Sequence, residues 1–436
     1  MTVRLPTAML PEMPAPLRRL RPAWVGAAAR LALGGTALHQ PPEIWVEADA
    51  EACHAAWPAL RPCLELPGRL TADGVRVRPV GGPLSPALEA TGVPLDALGV
   101  RADGEVVDPL GGRADLERGL LRVPHPATLS ARPELFVQLP ALASELALRP
   151  DPALLSALGA DPAAVLRADR DVLREAMTRL LVGRRPSGAL QVLARTGVLS
   201  VLLPEVAALI DFHKSSRHHH KDVWAHTCQV VMQAVPLPRI RWAALLHDVG
   251  KTHTRSYAPG NKVHFLRHDE LGAFLVEGIA ARLRFPAALT ESVQTLVLLH
   301  LRANLFDGAW SDAAIRRFDL EMGPVLQDLL RLSRADVTSK RPGRRRAAIY
   351  NLHTLQARVR VVRVADRARL PVVPKGLGNA IIQDLGVPPG PRIGVLRSAC
   401  IEAVRAGHLP AEPDVAACLT FLEAHLAAAG PRREVG

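Results

Sequence analysis

The sequence has no cysteine pairing pattern and no membrane-spanning run. Its five cysteines are scattered without CxxC spacing, which excludes a disulfide framework and a cysteine-ligated zinc site. No apolar run approaches the length of a membrane span, and the amino end interrupts its apolar residues with prolines and arginines. Internal repeats are also missing. These absences predict a protein of the reducing cytoplasm that has no membrane partner.

Length and charge narrow the class of protein further. A chain of 436 residues, of which 48% are hydrophobic, can bury a large core and suits about two to four structural units. Lys and Arg total 54 against 42 acidic residues, so the formal net charge is +12 and the isoelectric point lies near 10.3. This excess of positive charge favours a polyanionic partner or substrate.

Hydrophobic patterning divides the chain into four segments. Residues 1–125 mix short apolar runs with Gly, Pro and Asp turns, which indicates strands with a few helices. Residues 126–205 repeat apolar positions every three or four residues, which indicates a helical neck. Residues 206–370 stay helical and concentrate the histidines, and residues 371–436 lead into two last amphipathic helices. The predicted fold class is α+β, with a small α/β head, a mostly helical neck, an all-α domain and a helical tail.

The histidine-rich segment contains six side chains that suit a metal site. They lie within or beside apolar helical patterns and are His226, His247, Asp248, His268, His300 and Asp336. A single histidine of this kind is more often a packed core residue that is hydrogen-bonded to a carbonyl. Six imidazoles and carboxylates are costly to bury unless they are paired or coordinated, and two metal ions would satisfy all of them.

The adjacent His247 and Asp248 are the most informative of these residues. Neighbours on a helix do not share a face, so the two converge on one point only where the helix ends or where the point is a metal ion. Imidazole and carboxylate ligands suit Mn, Fe, Co, Ni or Zn better than Mg, although Mg stays open. Lys251 follows one turn later and either neutralises a phosphate oxygen or complements a helix dipole.

These residues resemble the HD superfamily of metal-dependent phosphohydrolases, defined by a histidine, an adjacent His-Asp pair and a distant Asp. His226, the pair His247–Asp248 and Asp336 match those positions, and HDVGK matches the HDxGK form of the superfamily. His268 and His300 resemble the additional ligands of members that hold two ions. The resemblance implies a metal-held hydroxide that attacks phosphorus, with Asp248 and Lys251 as catalytic residues. It predicts a metal-dependent phosphoric ester hydrolase, a phosphodiesterase or phosphatase.

A longer part of the chain resembles bacterial tRNA nucleotidyltransferases, the CCA-adding enzymes of the class II poly(A) polymerase family. The runs RHHHKDVWAHT, AALLHDVGKTHTR and KVHFLRHDELGA resemble the carboxyl half of those enzymes, and GEVVDPLGGRADLERGLLR resembles their head. The resemblance implies a nucleotidyltransferase-like head over 1–125, a neck at 126–205 that binds RNA, an HD domain over 206–370 and a tail over 371–436. It also implies a nucleotide or RNA partner, with tRNA among the candidates.

The head departs from that family where its chemistry should be. The family reads GGxxRDxxL and then DxD, whose aspartates hold the magnesium ions of nucleotide addition. Here Leu38 and His39 replace Arg-Asp, Trp45 replaces the second aspartate, and ARPEL (131–135) replaces the base-reading EDxxR. These losses predict an inactive head. Its remaining candidate RNA contacts, which are equally explained as solvated surface, are Arg101, Arg113, Arg118 and Arg122.

A basic cluster follows Asp336 in what the sequence predicts to be a short turn. It consists of Lys340, Arg341, Arg344, Arg345 and Arg346. The cluster is either a clamp for a terminal phosphate or polynucleotide backbone, or a solvated loop whose charges aid solubility.

Three functions are consistent with these patterns. The leading hypothesis is a metal-dependent phosphohydrolase that acts on nucleotides or RNA ends and carries an inactive head. The second is a tRNA nucleotidyltransferase, CCA-, CC- or A-adding, of altered specificity. The third is a non-catalytic RNA-binding protein that keeps its metal ligands for stability.

Overall fold

The protein is described by a computed structural model that covers residues 12–32, 43–63, 69–73, 75–123, 125, 127–210, 212, 222–258, 262–339, 341–369 and 373–428. Its chain forms two compact units. One comprises Met1–Ala309 and Glu321–Leu355, and the other Trp310–Leu320 and Gln356–Gly436. A sheet near the amino end is followed by helices, which confirms the predicted α+β class. The segment boundaries at 125, 205 and 370 stay predictions.

Seven short strands form the head sheet in the order β3-β4-β5-β2-β1-β6-β7. The strands are β1 Pro22–Val25, β2 Glu43–Val46, β3 Arg61–Pro62, β4 Leu70–Ala72, β5 Val75–Pro79, β6 Gly99–Arg101 and β7 Val106–Val107. Strand β2 pairs in parallel with β5 and antiparallel with β1. Two further strands, β8 Leu120–Leu121 and β9 Arg149–Pro150, pair with each other.

Alternation along the central strands gives the sheet two buried faces. Ile44 and Val46 pack on one face with Trp24, whereas Trp45 packs on the other with Ala23 and Leu84. Because side chains alternate along a strand, Glu43 shares the face of Trp45.

Helices make up most of the remaining described residues. In the first unit they are α1 Ala27–Ala32, α2 Ala50–Ala56, α3 Leu84–Glu89, α4 Gly112–Arg118, α5 Ala127–Ala131, α6 Leu135–Leu146, α7 Pro152–Ala160, α8 Arg170–Val182, α9 Pro186–Arg195, α10 Val198–Leu202, α11 Pro204–Ala207, α12 Val223–Gln233, α13 Pro238–Leu246, α14 Lys251–Thr254, α15 His268–Arg282, α16 Ala287–Leu299 and α18 Leu326–Asp336. Short 3₁₀ helices span Ala15–Leu20, Pro162–Arg167, Arg302–Leu305 and Gly323–Val325.

Two local expectations for the histidine-rich segment are wrong. The segment is not wholly helical, because β10 Arg255–Ala258 and β11 Lys262–Phe265 form an antiparallel hairpin. The basic cluster after Asp336 is not a turn either. Pro342 is the first residue of helix α19, Pro342–Arg369. Proline can begin a helix because the backbone N–H that it lacks would have no hydrogen-bond partner in the first helical turn.

The second unit is helical and has its own core. It contains most of α17 Asp312–Met322 and the later part of α19, which are joined by the ion pair of Arg316 with Asp366. The tail contains three described helices rather than the two expected: α20 Leu377–Asp384, α21 Pro391–Arg405 and α22 Val415–Ala428. In the described residues, no helix combines the length and apolarity that crossing a membrane would require.

Candidate functional site

Five helix ends bring the six predicted histidines and aspartates together. His226 lies in the first turn of α12, His268 is the first residue of α15, and Asp336 is the last residue of α18. His247 and His300 follow directly after α13 and α16. At a helix end the chain changes direction, so adjacent side chains can point at one centre. The structure therefore resolves the His247–Asp248 question by ending α13 at Leu246.

Three of the histidines are oriented by carbonyls of their own local chain. The Nδ1 atoms of His247, His268 and His300 lie 2.9, 2.7 and 2.6 Å from the carbonyl oxygens of Ala244, Phe265 and Val297. A carbonyl only accepts, so each Nδ1 donates and each Nε2 presents a lone pair to the centre. This arrangement is the usual support for a histidine that ligates a metal.

His226 is held differently. Its Nδ1 lies 2.8 Å from the hydroxyl of Thr338, and its Nε2 lies 3.1 Å from Asp336 Oδ1 and 3.3 Å from His247 Nε2. Thr338 belongs to the stretch between α18 and α19, so a residue beyond the ligand set orients this imidazole.

Asp248 lies between two groups of potential ligand atoms. His226, His247 and Asp248 form one group, and Asp248, His268 and His300 form the other, with donor atoms in each group within 4.8 Å of one another. Asp248 Oδ1 and His268 Nε2 are buried and have no hydrogen-bond partner. Buried polar atoms are rarely left unsatisfied, so a pair of such atoms here fits a site that receives a cation.

The electrostatics of His268, His300 and Asp248 also suit a metal. Burial lowers the pKa of His300 to about 4 and lowers that of His268, so both imidazoles are neutral near pH 7. Burial alone would raise the pKa of Asp248, but His247 and Lys251 outweigh it and hold that pKa well below its ordinary value. Neutral imidazoles and ionised carboxylates are the protonation states that bind divalent ions.

A glycine allows the HD turn to pack against α15. A Cβ atom at Gly250 would overlap the carbonyl oxygen of His268 and lie 2.8 Å from the amide nitrogen of Gly272. Only glycine permits this approach, which sets His247 and Asp248 beside His268.

Lys251 contacts Asp248 directly. Its Nζ donates to Asp248 Oδ2 at 2.7 Å and lies 5.6 Å from the centre of the Phe265 ring. The lysine therefore balances the carboxylate in the structure as described, and its expected contact with a phosphate stays a prediction.

The basic cluster lies at the start of α19, beside two cavities. The cavities measure about 750 and 410 Å³, and both are lined by Thr338 and Ser339. Arg345 and Arg346 line the larger cavity, while Arg344 lines the smaller one together with Asp336. Of the remaining members, Arg341 is exposed and Lys340 lies outside the described residues.

Residues of the head and of the neck helices α6 and α8 together line a larger cavity, the head cavity, of about 1300 Å³. Seven arginines and five carboxylates line it, together with Trp45. Glu43 Oε1 accepts from Arg69 Nε at 2.7 Å and from Trp45 Nε1 at 3.1 Å. The carboxylate that occupies the first DxD position is thus already bound by a guanidinium and an indole. Leu38 and His39, which also differ from the family, lie outside the described residues.

Most of the predicted head contacts for RNA are engaged within the protein. Arg101 pairs with Glu47, Arg113 with Glu117, and Arg122 with Asp115. Arg118 is exposed. A role in RNA binding stays a prediction for all four, and the ion pairs of three of them favour a structural role.

The part of the chain that contains this site is similar to a known domain family. The model of the HD-domain family matches residues 223–368. An HD domain is present. The chain is 32% identical over 259 residues to the CC-adding tRNA nucleotidyltransferase of Thermus thermophilus, covering 58% of this chain and 56% of that one. It is 29% identical over 327 residues to the A-adding tRNA nucleotidyltransferase of Deinococcus radiodurans, covering 72% and 74%. It therefore spans little more than half of the first relative.

The fold extends the likeness along the chain. The crystal structure of the Bacillus stearothermophilus CCA-adding enzyme in complex with CTP has a TM-score of 0.56, with 19% identity over 94% of each chain. This likeness establishes the fold alone. The HD domain and the nucleotidyltransferase relatives together imply dependence on a divalent metal.

The prediction of a phosphoric ester hydrolase is wrong. The two relatives above are named as tRNA nucleotidyltransferases, which are transferases, and neither is named as a phosphodiesterase or phosphatase. Metal ligands determine which ion can bind, but they do not determine which reaction the whole protein performs.

Two groups of functional candidates were missed in the sequence. Thr338 gave no signal, because its contact with His226 joins positions 112 residues apart. The cavity-lining Arg76 and Arg78 did give one. They alternate in the run VRVRP of strand β5, so both point to one face of the sheet.

Proposed function

We propose that this protein binds the 3′ end of tRNA, as a relative of the tRNA nucleotidyltransferases whose head does not perform two-magnesium nucleotide addition. The observation that supports tRNA as the partner is the extent of the similarity to an A-adding enzyme, 72% of this chain. The net charge of +12 suits an RNA partner. Glu43 already accepts hydrogen bonds from Arg69 and Trp45, and Trp45 has no carboxylate. Both features support a head that does not add nucleotides.

A second candidate is nucleotidyl transfer of altered specificity. It is favoured by the relatives themselves, one named as CC-adding and the other as A-adding, so specificity varies among similar chains. Glu43 still supplies one carboxylate to the head cavity. Nucleotidyl transfer in the head would require Glu43 to release Arg69 and bind a cation. It would also require a second carboxylate to complete the cation site.

The HD domain is proposed to hold the divalent metal. His226, His247, Asp248 and Asp336 hold one ion, and Asp248, His268 and His300 hold the other. The orphaned Asp248 Oδ1 and His268 Nε2 support this assignment. Mn, Fe, Co, Ni or Zn suits this ligand set, and Mg fits it less well. Such an ion supplies positive charge that can bind a phosphate oxygen. Lys251 stabilises Asp248 when the ion is absent.

The start of α19 is proposed to contact the RNA backbone. Arg344, Arg345 and Arg346 are exposed. Arg344 lines the smaller cavity together with Asp336, and Arg345 and Arg346 line the larger one. Each phosphate neutralised by an arginine releases counterions, so this contribution weakens as salt rises. Arg341 extends the same surface, and Lys340 is included on sequence grounds.

One experiment separates the two candidates. Full-length protein is mixed with three tRNA transcripts that end before CCA, after CC and after the complete CCA. Binding is followed by gel shift, and incorporation is followed with labelled CTP and ATP in magnesium. The proposal expects binding to all three transcripts without incorporation, and weaker binding once the unpaired acceptor end is removed.

Each other result has a defined meaning. Incorporation that is lost in Glu43→Gln would establish the second candidate and overturn the first. Binding that does not depend on the acceptor end would contradict the proposed site of action on tRNA. A failure to bind any tRNA would overturn both candidates.

A further inference from the structure

The head cavity has the opposite charge character from a magnesium site. The nucleotidyltransferase fold implies magnesium at the positions of Glu43 and Trp45, but the residues present do not fit it. An indole offers an N–H donor and no lone pair for a cation, and Glu43 Oε1 already accepts two donors. Within the described part of the chain, both groups of three metal-ligating side chains lie in the HD domain.

Strand pairing explains how arginines come to surround Glu43. Strands β2 and β5 are parallel, with Glu43 opposite Arg76 and Trp45 opposite Arg78. Paired residues of adjacent strands point to the same side of a sheet, so all four line the cavity. The guanidinium carbon of Arg78 lies 4.2 Å from the centre of the Trp45 ring. Trp45, only 3% exposed, is thus a fixed platform on which a cation stacks.

Arg78 forms no ion pair with a described residue, although Glu43 offsets part of its charge. Arg69 pairs with Glu43, and Arg132 pairs with Glu134. No carboxylate of the described residues lies within ion-pair distance of Arg78. Burial and the nearby Arg69 lower the pKa of Arg78, Glu43 offsets part of this effect, and Arg132 lowers the pKa a little further. A partly buried guanidinium beside two others is costly unless an anion joins them.

We infer that the head cavity binds a phosphate-bearing anion directly through Arg78 and Arg69, without magnesium. Arginine suits this ligand because its planar fork donates two hydrogen bonds to one phosphate group. The replacement of a carboxylate by Trp45 removes a cation ligand and also positions the arginine that binds the anion. The inference goes beyond tRNA binding, and it rests on the proposed function only for the source of the phosphate.

The test uses inorganic pyrophosphate and full-length protein in EDTA, with binding measured by calorimetry. Chelation removes any contribution from metal in the HD domain. The protein carries Arg344→Gln, Arg345→Gln and Arg346→Gln, so that the α19 surface does not contribute. We expect binding in EDTA that added magnesium does not strengthen. Arg78→Gln should weaken it about tenfold or more, the size of one charge-assisted contact. Arg19→Gln, an exposed arginine outside the cavity, should leave it unchanged.

A second variant keeps the test decisive if Arg78→Gln does not fold. Trp45→Phe retains an aromatic ring and should preserve binding in EDTA, whereas Trp45→Asp restores a carboxylate and should abolish it. Binding that requires magnesium, or that is equal in Arg78→Gln and the parent protein, would overturn the inference. So would an absence of binding.

Competition then identifies the source of the phosphate. Displacement of pyrophosphate by ATP but not by a tRNA with a 3′-phosphate assigns the cavity to free nucleotides, and the reverse assigns it to RNA ends. Either result supports a metal-free anion site. The proposed function fails separately, because tRNA binding is measured by gel shift with the parent protein.

Discussion

The HD domain and the head use the same few residue types to opposite effect. In the HD domain, carboxylates and imidazoles converge, and Asp248 Oδ1 and His268 Nε2 are left without hydrogen-bond partners. In the head, the cavity holds more arginines than carboxylates, and Glu43 is bound by Arg69. The first arrangement favours a cation and the second an anion. The comparison teaches that the sign of the uncompensated charge, more than the fold, decides which ligand each half can take.

Removal of metal should produce the largest contrast between the two regions. Chelation leaves Asp248 Oδ1 and His268 Nε2 buried without a ligand, so EDTA should lower the free energy of unfolding by about 2 to 4 kcal/mol. Thermal unfolding with and without EDTA measures this, and readdition of Mn or Zn should restore stability. Glu43→Gln protein should respond to EDTA as the unmodified protein does. Identical melting in both conditions would remove the basis for a metal in the HD domain.

Thr338→Val should have a smaller effect that is confined to the HD domain. The hydroxyl of Thr338 orients His226, whereas carbonyls of the local chain orient the other three histidines. Loss of such support typically weakens metal affinity about 10- to 100-fold. Metal titration measures the change, and Thr338→Ser should recover most of it. Failure of the serine variant to recover affinity would mean that Thr338 acts only through packing.

The smallest expected effect concerns the start of α19. Arg344→Gln combined with Arg346→Gln should weaken tRNA binding modestly and reduce the slope of log affinity against log salt by about 0.7 to 0.9 for each lost contact. Arg19→Gln is the matched control from the exposed surface of the head. An unchanged slope would show that these arginines are solvated charges, as the alternative interpretation of the sequence holds.

Much of the HD site could be predicted from the sequence, because its ligands lie in short runs with recognisable order. His247 and Asp248 are adjacent, and each remaining ligand lies within one turn of the end of a helix, so the order of residues along the chain indicates much of the geometry. The contact between His226 and Thr338 could not be predicted, because it depends on how α12 and α18 pack. The helix that contains Arg344 was mistaken for a turn, since Pro342 and Gly343 indicate a break until proline is recognised as a helix start.

The head was harder to interpret. The sequence indicates that Trp45 replaces one DxD carboxylate, but it does not show which side chains surround Trp45. Only the parallel register of β2 and β5 shows that Trp45 and Arg78 are neighbours, and parallel pairing joins segments that are far apart in the chain. The inactive head stays a prediction from the sequence, and the structure was needed to find the arginines gathered around Trp45.

Metal analysis of matched variants tests the difference between the two regions most directly. Protein purified without chelators should contain about two transition-metal ions per chain, one for each ligand group in the HD domain. Asp248→Ala should lose both, His268→Ala should lose one, and Glu43→Gln should keep the full content. Full metal in Asp248→Ala, or loss of metal in Glu43→Gln, would contradict the assignment of a cation site to the HD domain and an anion site to the head.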